Sequence, residues 1–288
     1  MPEGPAGGAG EPARGTLFVV ATPIGNLGDL SPRALDVLRS VAVVAAEDTR
    51  ITRRIWTRFD IDTRLVSFHA HSHESRLRQL LTRLEAGEDV ALVSDAGTPL
   101  VSDPGGDLVA AWARAGGRVV AVPGASAVLV ALVASGIPSP RWSFEGFLPR
   151  RGRERRERLA RIAADDRASV LFESPGRTAA TLRDLAAACG DDRQAALCRE
   201  LTKRHEEIRR GALAELMVSA EERPPKGEVA IVVAGATSQA GVTVGLEEGR
   251  RRVAALVAEG MQRSAAARQV ATETGLPRRE LFVSHDDR

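Results

Sequence analysis

Tyrosine is missing from this chain of 288 residues, and all aromatic residues together make up only 3% of it. A surface of aromatic platforms for splayed nucleobases is therefore not the leading expectation, and Trp56 and Trp142 read as core residues. Cysteine is nearly as scarce. Cys189 and Cys198 are the only two, and their spacing fits no zinc or redox motif. This excludes a disulfide framework, points to a reducing cytoplasm and leaves both residues as small buried hydrophobes. No apolar run is long enough to cross a bilayer. Met1–Arg14 is rich in Gly, Pro and Ala but lacks the apolar stretch of a secretion signal, so it reads as a disordered tail. Also absent is a G-x-G-x-x-G turn after the first strand, which argues against the common dinucleotide or Rossmann-type methyltransferase site.

What is present is arginine in patches. Forty basic side chains face 38 acidic ones, for a formal net charge of only +2. Yet Arg150, Arg151, Arg153, Arg155, Arg156, Arg158 and Arg161 crowd one segment. Arg50, Arg53, Arg54 and Arg58 form a second group, and Arg250, Arg251 and Arg252 a third. Local clusters on a near-neutral chain suit a polyanionic partner, whereas a single cluster would suit an ordinary solvated helix face.

Hydrophobic periodicity gives the organisation. Short β-branched runs at Leu17–Ala21, Val41–Ala46, Leu65–Phe68, Val90–Val93 and Arg118–Val122 read as strands. Helical segments separate them. Ser31 followed by Pro32 marks one helix start, and Glu74–Ala86 and Asp107–Ala115 are others. Strand and helix alternate, so the first half predicts a parallel α/β sheet. A second α/β unit begins near Trp142. It has strands at Phe144–Phe147, Ser169–Phe172, Gln194–Cys198 and Glu228–Ala234 and helices at Arg153–Ala164 and Thr178–Cys189, and it predicts a mixed sheet. The end of the chain reads as helix, turn, helix and short helix over Glu247–Glu259, Ser264–Thr274 and Pro277–Phe282, with Ser264 as N-cap. This is close to a helix-turn-helix, which holds nucleic acid or packs on a neighbour; the pattern does not choose.

The loops leaving the first five strands carry the oddities. Ser94–Gly106 is the richest, with small residues, turn formers and two carboxylates at the carboxyl end of a strand, where open α/β sheets bind ligands. With it come Gly15–Asp29, Ala46–Arg50, Phe68–Glu74 and Val122–Ala127. Taken in order, these five motifs resemble the tetrapyrrole methylase superfamily of S-adenosylmethionine enzymes and, within it, the small-subunit ribosomal RNA methyltransferase I branch. The likeness covers about residues 15 to 236, and the tail is similar to that branch's C-terminal extension. It implies two α/β domains, 15–127 and 128–236, with the cofactor in the cleft between them, a helical extension over 237–288, and a homodimer. It also implies methyl transfer to the ribose 2′-oxygen of a cytidine in 16S ribosomal RNA, free or in the 30S particle, without metal or membrane. Rival readings are a tetrapyrrole C-methyltransferase of the same superfamily and a non-enzymatic nucleic-acid-binding regulator.

By this resemblance Asp95, Ala96, Gly97, Thr98 and Val101 line the cofactor, with Ser126, Ala127 and Pro23 beside them and Glu173 and Leu201 contributed by the second unit. A ribose hydroxyl is a poor nucleophile until its proton is taken, so a base is expected within hydrogen-bond reach. Asp48 is the first candidate, with Glu47, His69, His71, Asp95, Asp103 and Lys203 behind it. An Asp48–Arg50 pair or a helix cap is the structural alternative. Arg50, Arg53, Arg54, Arg150, Arg151 and Arg153 are expected to hold phosphate. His69, His71 and His73 alternate as metal ligands on a strand would, but the resemblance implies no metal; RNA contact or structural hydrogen bonding is expected of them.

Overall fold

The structure is a computed structural model in which residues 14–68, 73–236, 245–274 and 276–282 are described. All but the last residue of the expected tail, and also His69 and His71, lie outside them. Contacts group the chain into two compact units. One runs to Ala163 and resumes over Arg167–Ala234; the other joins Ala164–Asp166 to the residues from Gly235 onward.

The first unit holds two sheets. In the first, β1 (Thr16–Val20), β2 (Val43–Ala46), β3 (Leu65–Ser67), β4 (Val90–Val93) and β5 (Arg118–Val122) lie in the order β3-β2-β4-β1-β5. Every pairing is parallel. β2 and β4 are buried at every residue, which is why they read as unbroken apolar runs: helices cover both faces. On one face α1 (Pro32–Ser40) and α2 (Thr49–Phe59) pack Leu38, Ile55 and Trp56 against Val20, Val44 and Val93. On the other, α3 (His73–Glu85) and α4 (Gly106–Arg114) bring Leu80, Leu84, Leu108 and Trp112 onto Leu17, Val43 and Leu92. The expected start of α1 is realised: Ser31 Oγ accepts the Ala34 amide at 3.1 Å, with Pro32 in the first turn.

The second sheet has the order β6-β7-β10-β8-β9, from β6 (Trp142–Phe147), β7 (Ala168–Glu173), β8 (Gln194–Arg199), β9 (Glu207–Ala212) and β10 (Val229–Val233). β6 and β7 are parallel and the remaining pairs antiparallel, so the sheet is mixed as expected. One face meets α5 (Ala127–Ser135) through Val170, Ala196, Ala230 and Val232. The other is covered by α6 (Arg153–Ala164), α7 (Thr178–Cys189) and α8 (Leu213–Glu222), through Leu159, Leu182, Leu185 and Leu216.

β9 and α8 are additions to the sequence reading. β9 is Glu-Ile-Arg-Arg-Gly-Ala at the sheet's edge. Edge strands carry charge to deter further pairing, and that charge hides the alternation by which strands are read. α8 buries Leu213, Leu216 and Ala220 at helical spacing.

In the second unit α9 (Leu246–Ala258), α10 (Arg263–Thr274) and α11 (Arg278–Phe282) enclose Val253, Ala266, Ala267, Val270 and Leu281. The three expected helices are present, but α10 begins at Arg263, so Ser264 lies within it rather than capping it. Among the described residues no helix is long and apolar enough to cross a membrane.

Candidate active site

The loops at the carboxyl ends of β1, β4 and β5 are stitched to one another. Thr22 and Gly97 exchange backbone hydrogen bonds of 2.8 and 3.0 Å. Thr22 Oγ1 donates to the Ser94 carbonyl and Thr98 Oγ1 to that of Ala125, each at 3.2 Å. Gly97 makes this possible with a φ of +83°, a region that penalises side chains; a Cβ there would stand 3.2 Å from Ile24 Cγ2.

Beside these loops opens a cavity of about 390 Å³, within the size range of small-molecule sites. The first sheet's rim supplies Ile24, Glu47, Asp95–Thr98, Val101–Asp103 and Ser126–Val128. The second sheet and its loops supply Phe147, Phe172, Glu173, Pro175, Leu201 and Gly227–Ala230. Of the residues expected at the cofactor, Asp95, Ala96, Gly97, Thr98, Val101, Ser126, Ala127, Glu173 and Leu201 stand together in this wall. Pro23 does not; it is buried beside Ile24, which takes the place at the wall. Glu173 keeps its carboxylate for the protein, accepting the Ser174 amide and Thr181 Oγ1, each at 2.7 Å, and facing Arg177 at 3.3 Å. Ser126 precedes α5 without a side-chain capping bond, so the first amides of that helix keep their donor capacity at the wall.

The polar side of the cavity is acidic. Glu47, Asp95 and Asp103 all line it. Burial raises the Glu47 carboxyl above its ordinary value, and the charges of Asp95 and Asp103 add to the rise. Burial likewise raises Asp95 and Asp103. Asp48, one residue from Glu47, behaves in the opposite way. Arg50 grips both its oxygens, with Nη2 at 2.6 Å from Oδ2 and Nε at 3.0 Å from Oδ1. These bonds hold its pKa at about 2, and Oδ1 also caps α2 through the Arg50 amide at 2.8 Å. Asp48 is absent from the cavity wall, so the structural alternative weighed for it is the arrangement present. Lys203 is also outside the wall, and it bonds Glu200 at 2.9 Å and Glu228 at 3.2 Å. Partial burial pulls its ammonium pKa down, but these carboxylates outweigh that and the net shift is upward. These two ion pairs are what occupy the Lys203 ammonium.

The arginines divide into two kinds. Arg50, Arg53, Arg54, Arg150, Arg151 and Arg153 are exposed, although Arg153 pairs with Glu157 at 2.5 Å. Arg155 and Arg158 are structural members of the same dense segment. Arg155 is buried on Asp184, Thr181 and the Pro149 carbonyl, and Arg158 binds Glu145 and the Phe147 carbonyl. The third group is largely neutralised on α9 by Glu247 and Glu248. Among the described residues no group of three or more His, Cys, Asp or Glu is placed to hold a metal ion. Sequence reasoning missed Ile24, Ser102, Val128, Phe147, Phe172, Pro175 and Gly227–Ala230. Apart from the Glu228 carboxylate, their signal was their place near strand ends.

A doubly wound parallel sheet, a mixed sheet beside it and a walled cavity at the first sheet's carboxyl rim define a class. The chain belongs to the Tetrapyrrole (Corrin/Porphyrin) Methylases, whose family pattern it matches over residues 16–217. It is 46% identical over 268 residues to the ribosomal RNA small subunit methyltransferase I of Synechocystis sp., a match covering 93% of this chain and 96% of that one. With the protein of the same name from Xylella fastidiosa it shares 48% identity over 270 residues, covering 93% and 98%. Among solved structures, uroporphyrin-III-C-methyltransferase from Thermus thermophilus superposes with a TM-score of 0.55 at 23% identity, over 77% of this chain and 94% of that one. That likeness is one of fold.

Proposed function

We propose that this protein transfers a methyl group from S-adenosylmethionine to the ribose 2′-oxygen of a cytidine in 16S ribosomal RNA, acting in the cytoplasm on the free RNA or the 30S particle. The relatives' shared name supports the substrate class. The observation that carries the chemistry is the cavity itself: apolar Ile24, Val128, Phe172, Leu201 and Ala230 share the lining with five acidic residues, Glu47, Asp95, Asp103, Glu173 and Glu228, and with no arginine or lysine. The apolar part suits a purine, the carboxylates suit a sulfonium cation, and the open amides of α5 suit a carboxylate anion. The residues present therefore fit the cofactor, which supplies an electrophilic methyl group when bound.

The chain's own residues provide the rest. Asp95–Thr98 and Ser126–Val128 orient the donor through backbone groups. The exposed arginines hold the phosphates of the acceptor strand, bidentate where geometry allows. Glu47 is the base in this reading: it lines the cavity, its carboxyl is raised rather than depressed, and it takes the proton from the attacking hydroxyl. In-line displacement gains most from such positioning.

Two copies act together in this reading. α5 is apolar all round, yet Leu129 is 49% and Val133 82% exposed. A helix of that kind is ordinarily covered on every side, and a second copy would cover it.

The test offers labelled cofactor with unmodified small ribosomal subunits, the free RNA and a tetrapyrrole. Label on a single cytidine ribose is expected. Label on the tetrapyrrole alone overturns the proposal.

A further inference from the structure

Phe147 is 53% exposed and lines the cavity, in a chain where aromatic residues are rare. Its direction is set by an irregularity in β6. Phe144 pairs with Val170, but the next pairs are Gly146 with Leu171 and Phe147 with Phe172, so Glu145 is an extra residue. Side chains alternate along a strand, and one inserted residue reverses the alternation beyond it. Without the insertion Phe147 would lie on the face of Leu171, inside the core under α6–α8. With it, Phe147 shares a face with Phe144 and Phe172, towards α5 and the cavity.

The bulge is built to last. Gly146 takes a φ of +60°, and a Cβ there would come 3.4 Å from Ser102 Oγ in the cavity wall. Arg158 pins both flanks, with Nη1 on the Phe147 carbonyl at 3.1 Å and Nη2 on Glu145 Oε2 at 3.0 Å. Phe172 supports the ring from one side, with centroids 5.8 Å apart, and in turn meets Phe144 edge-on at 4.9 Å. The supported ring thus keeps half its surface open. Such an arrangement turns a large apolar group away from an available core and into a ligand cavity.

We infer that Phe147 is the stacking platform for the nucleobase of the methylated nucleotide. The inference rests on the RNA reading above and names the contact that selects its substrate. The chain runs from Phe147 directly to the exposed Arg150 and Arg151, so a strand whose phosphates engage those guanidinium groups delivers a base beside the ring. Single-stranded RNA is held by this combination of cationic track and aromatic face. A cofactor purine is the competing occupant. The deeper lining of Val128, Leu201 and Ala230 is buried or nearly so and serves that group, whereas a half-exposed ring faces what arrives from solvent.

The experiment compares the full-length protein with Phe147→Ala and Phe147→Trp, measuring methyl transfer to small-subunit RNA and calorimetric cofactor binding. Phe147→Ala is expected to lower kcat/KM for RNA by about tenfold to a hundredfold, as loss of one base stack does, with cofactor affinity changed by less than about twofold. Phe147→Trp is expected to restore most of the rate, which loss of fold would not allow. Equal rates for Phe147→Ala and the parent overturn the inference. A matching fall in cofactor affinity also overturns it and assigns the ring to the purine. A parent protein that labels no RNA overturns the underlying reading instead.

Discussion

The backbone amide of Asp48 donates to Oδ1 of Asp95 at 2.9 Å, tying the end of β2 to the end of β4. The bond uses the main chain of Asp48, not its carboxylate. It brings two strand-end acids together and leaves Asp48's side chain to Arg50, while Glu47 lines the cavity with Oε2 accepting the Asp95 amide at 3.5 Å.

Glu47 is therefore expected to behave as the base and Asp48 as a structural residue. Glu47→Gln should lower kcat by about a hundredfold or more, the usual contribution of a positioned base, with little change in cofactor affinity. Asp48→Ala keeps the tie to Asp95 and should retain most of the activity. The base acts when ionised, so kcat/KM rises with pH through the Glu47 titration. Since that pKa is raised, the rise lies above the ordinary value of 4.5. Steady-state rates across the acid range, with the rise abolished in Glu47→Gln, are the check.

Gly97→Val should abolish measurable cofactor binding. A β-branched side chain is strained at a φ of +83° and meets Ile24 within the cavity wall. Calorimetry reads the affinity, and a circular dichroism melt separates site damage from unfolding. An unchanged dissociation constant would contradict this placement of the site.

Replacing Arg150 and Arg151 together by alanine should weaken RNA binding and flatten its dependence on salt. Each lost phosphate contact removes about 0.7 from the slope of log K against log salt for single strands. Both side chains are exposed, so stability should hold. Binding measured over a salt series decides it; a parallel shift with no change of slope would exclude phosphate contact.

The exposed face of α5 predicts a self-associating protein. Leu129→Glu with Val133→Glu places charge where apolar area would be covered, and should give a monomer by sedimentation. A parent protein already monomeric at micromolar concentration would count against the second copy.

Much of the fold was legible because its signals are local. β4, β5, α6 and α7 fall where the hydrophobic pattern puts them, since strands show as short apolar runs and helices packed on a sheet face are periodic. The Gly97 corner was legible for the same reason: its φ of +83° is a backbone shape that few other residues adopt. β9 was hidden by its edge charges. Within the arginine-rich segment, composition alone did not separate buried Arg155 from exposed Arg151, because that difference depends on Asp184 and Thr181 of α7.

Sequence by itself determined the alternation of strands and helices, the small-residue loops at the strand ends and the family to which they belong. Each of these is written in neighbouring residues. Tertiary structure alone decided which carboxylate faces the cavity and where Phe147 points. Glu47 and Asp48 are adjacent in sequence, but burial beside Asp95 and Asp103 raises one while Arg50 depresses the other. The turn of Phe147 depends on register against β7. Strand pattern repeats every second residue, so a single inserted residue changes the face without leaving a periodic trace.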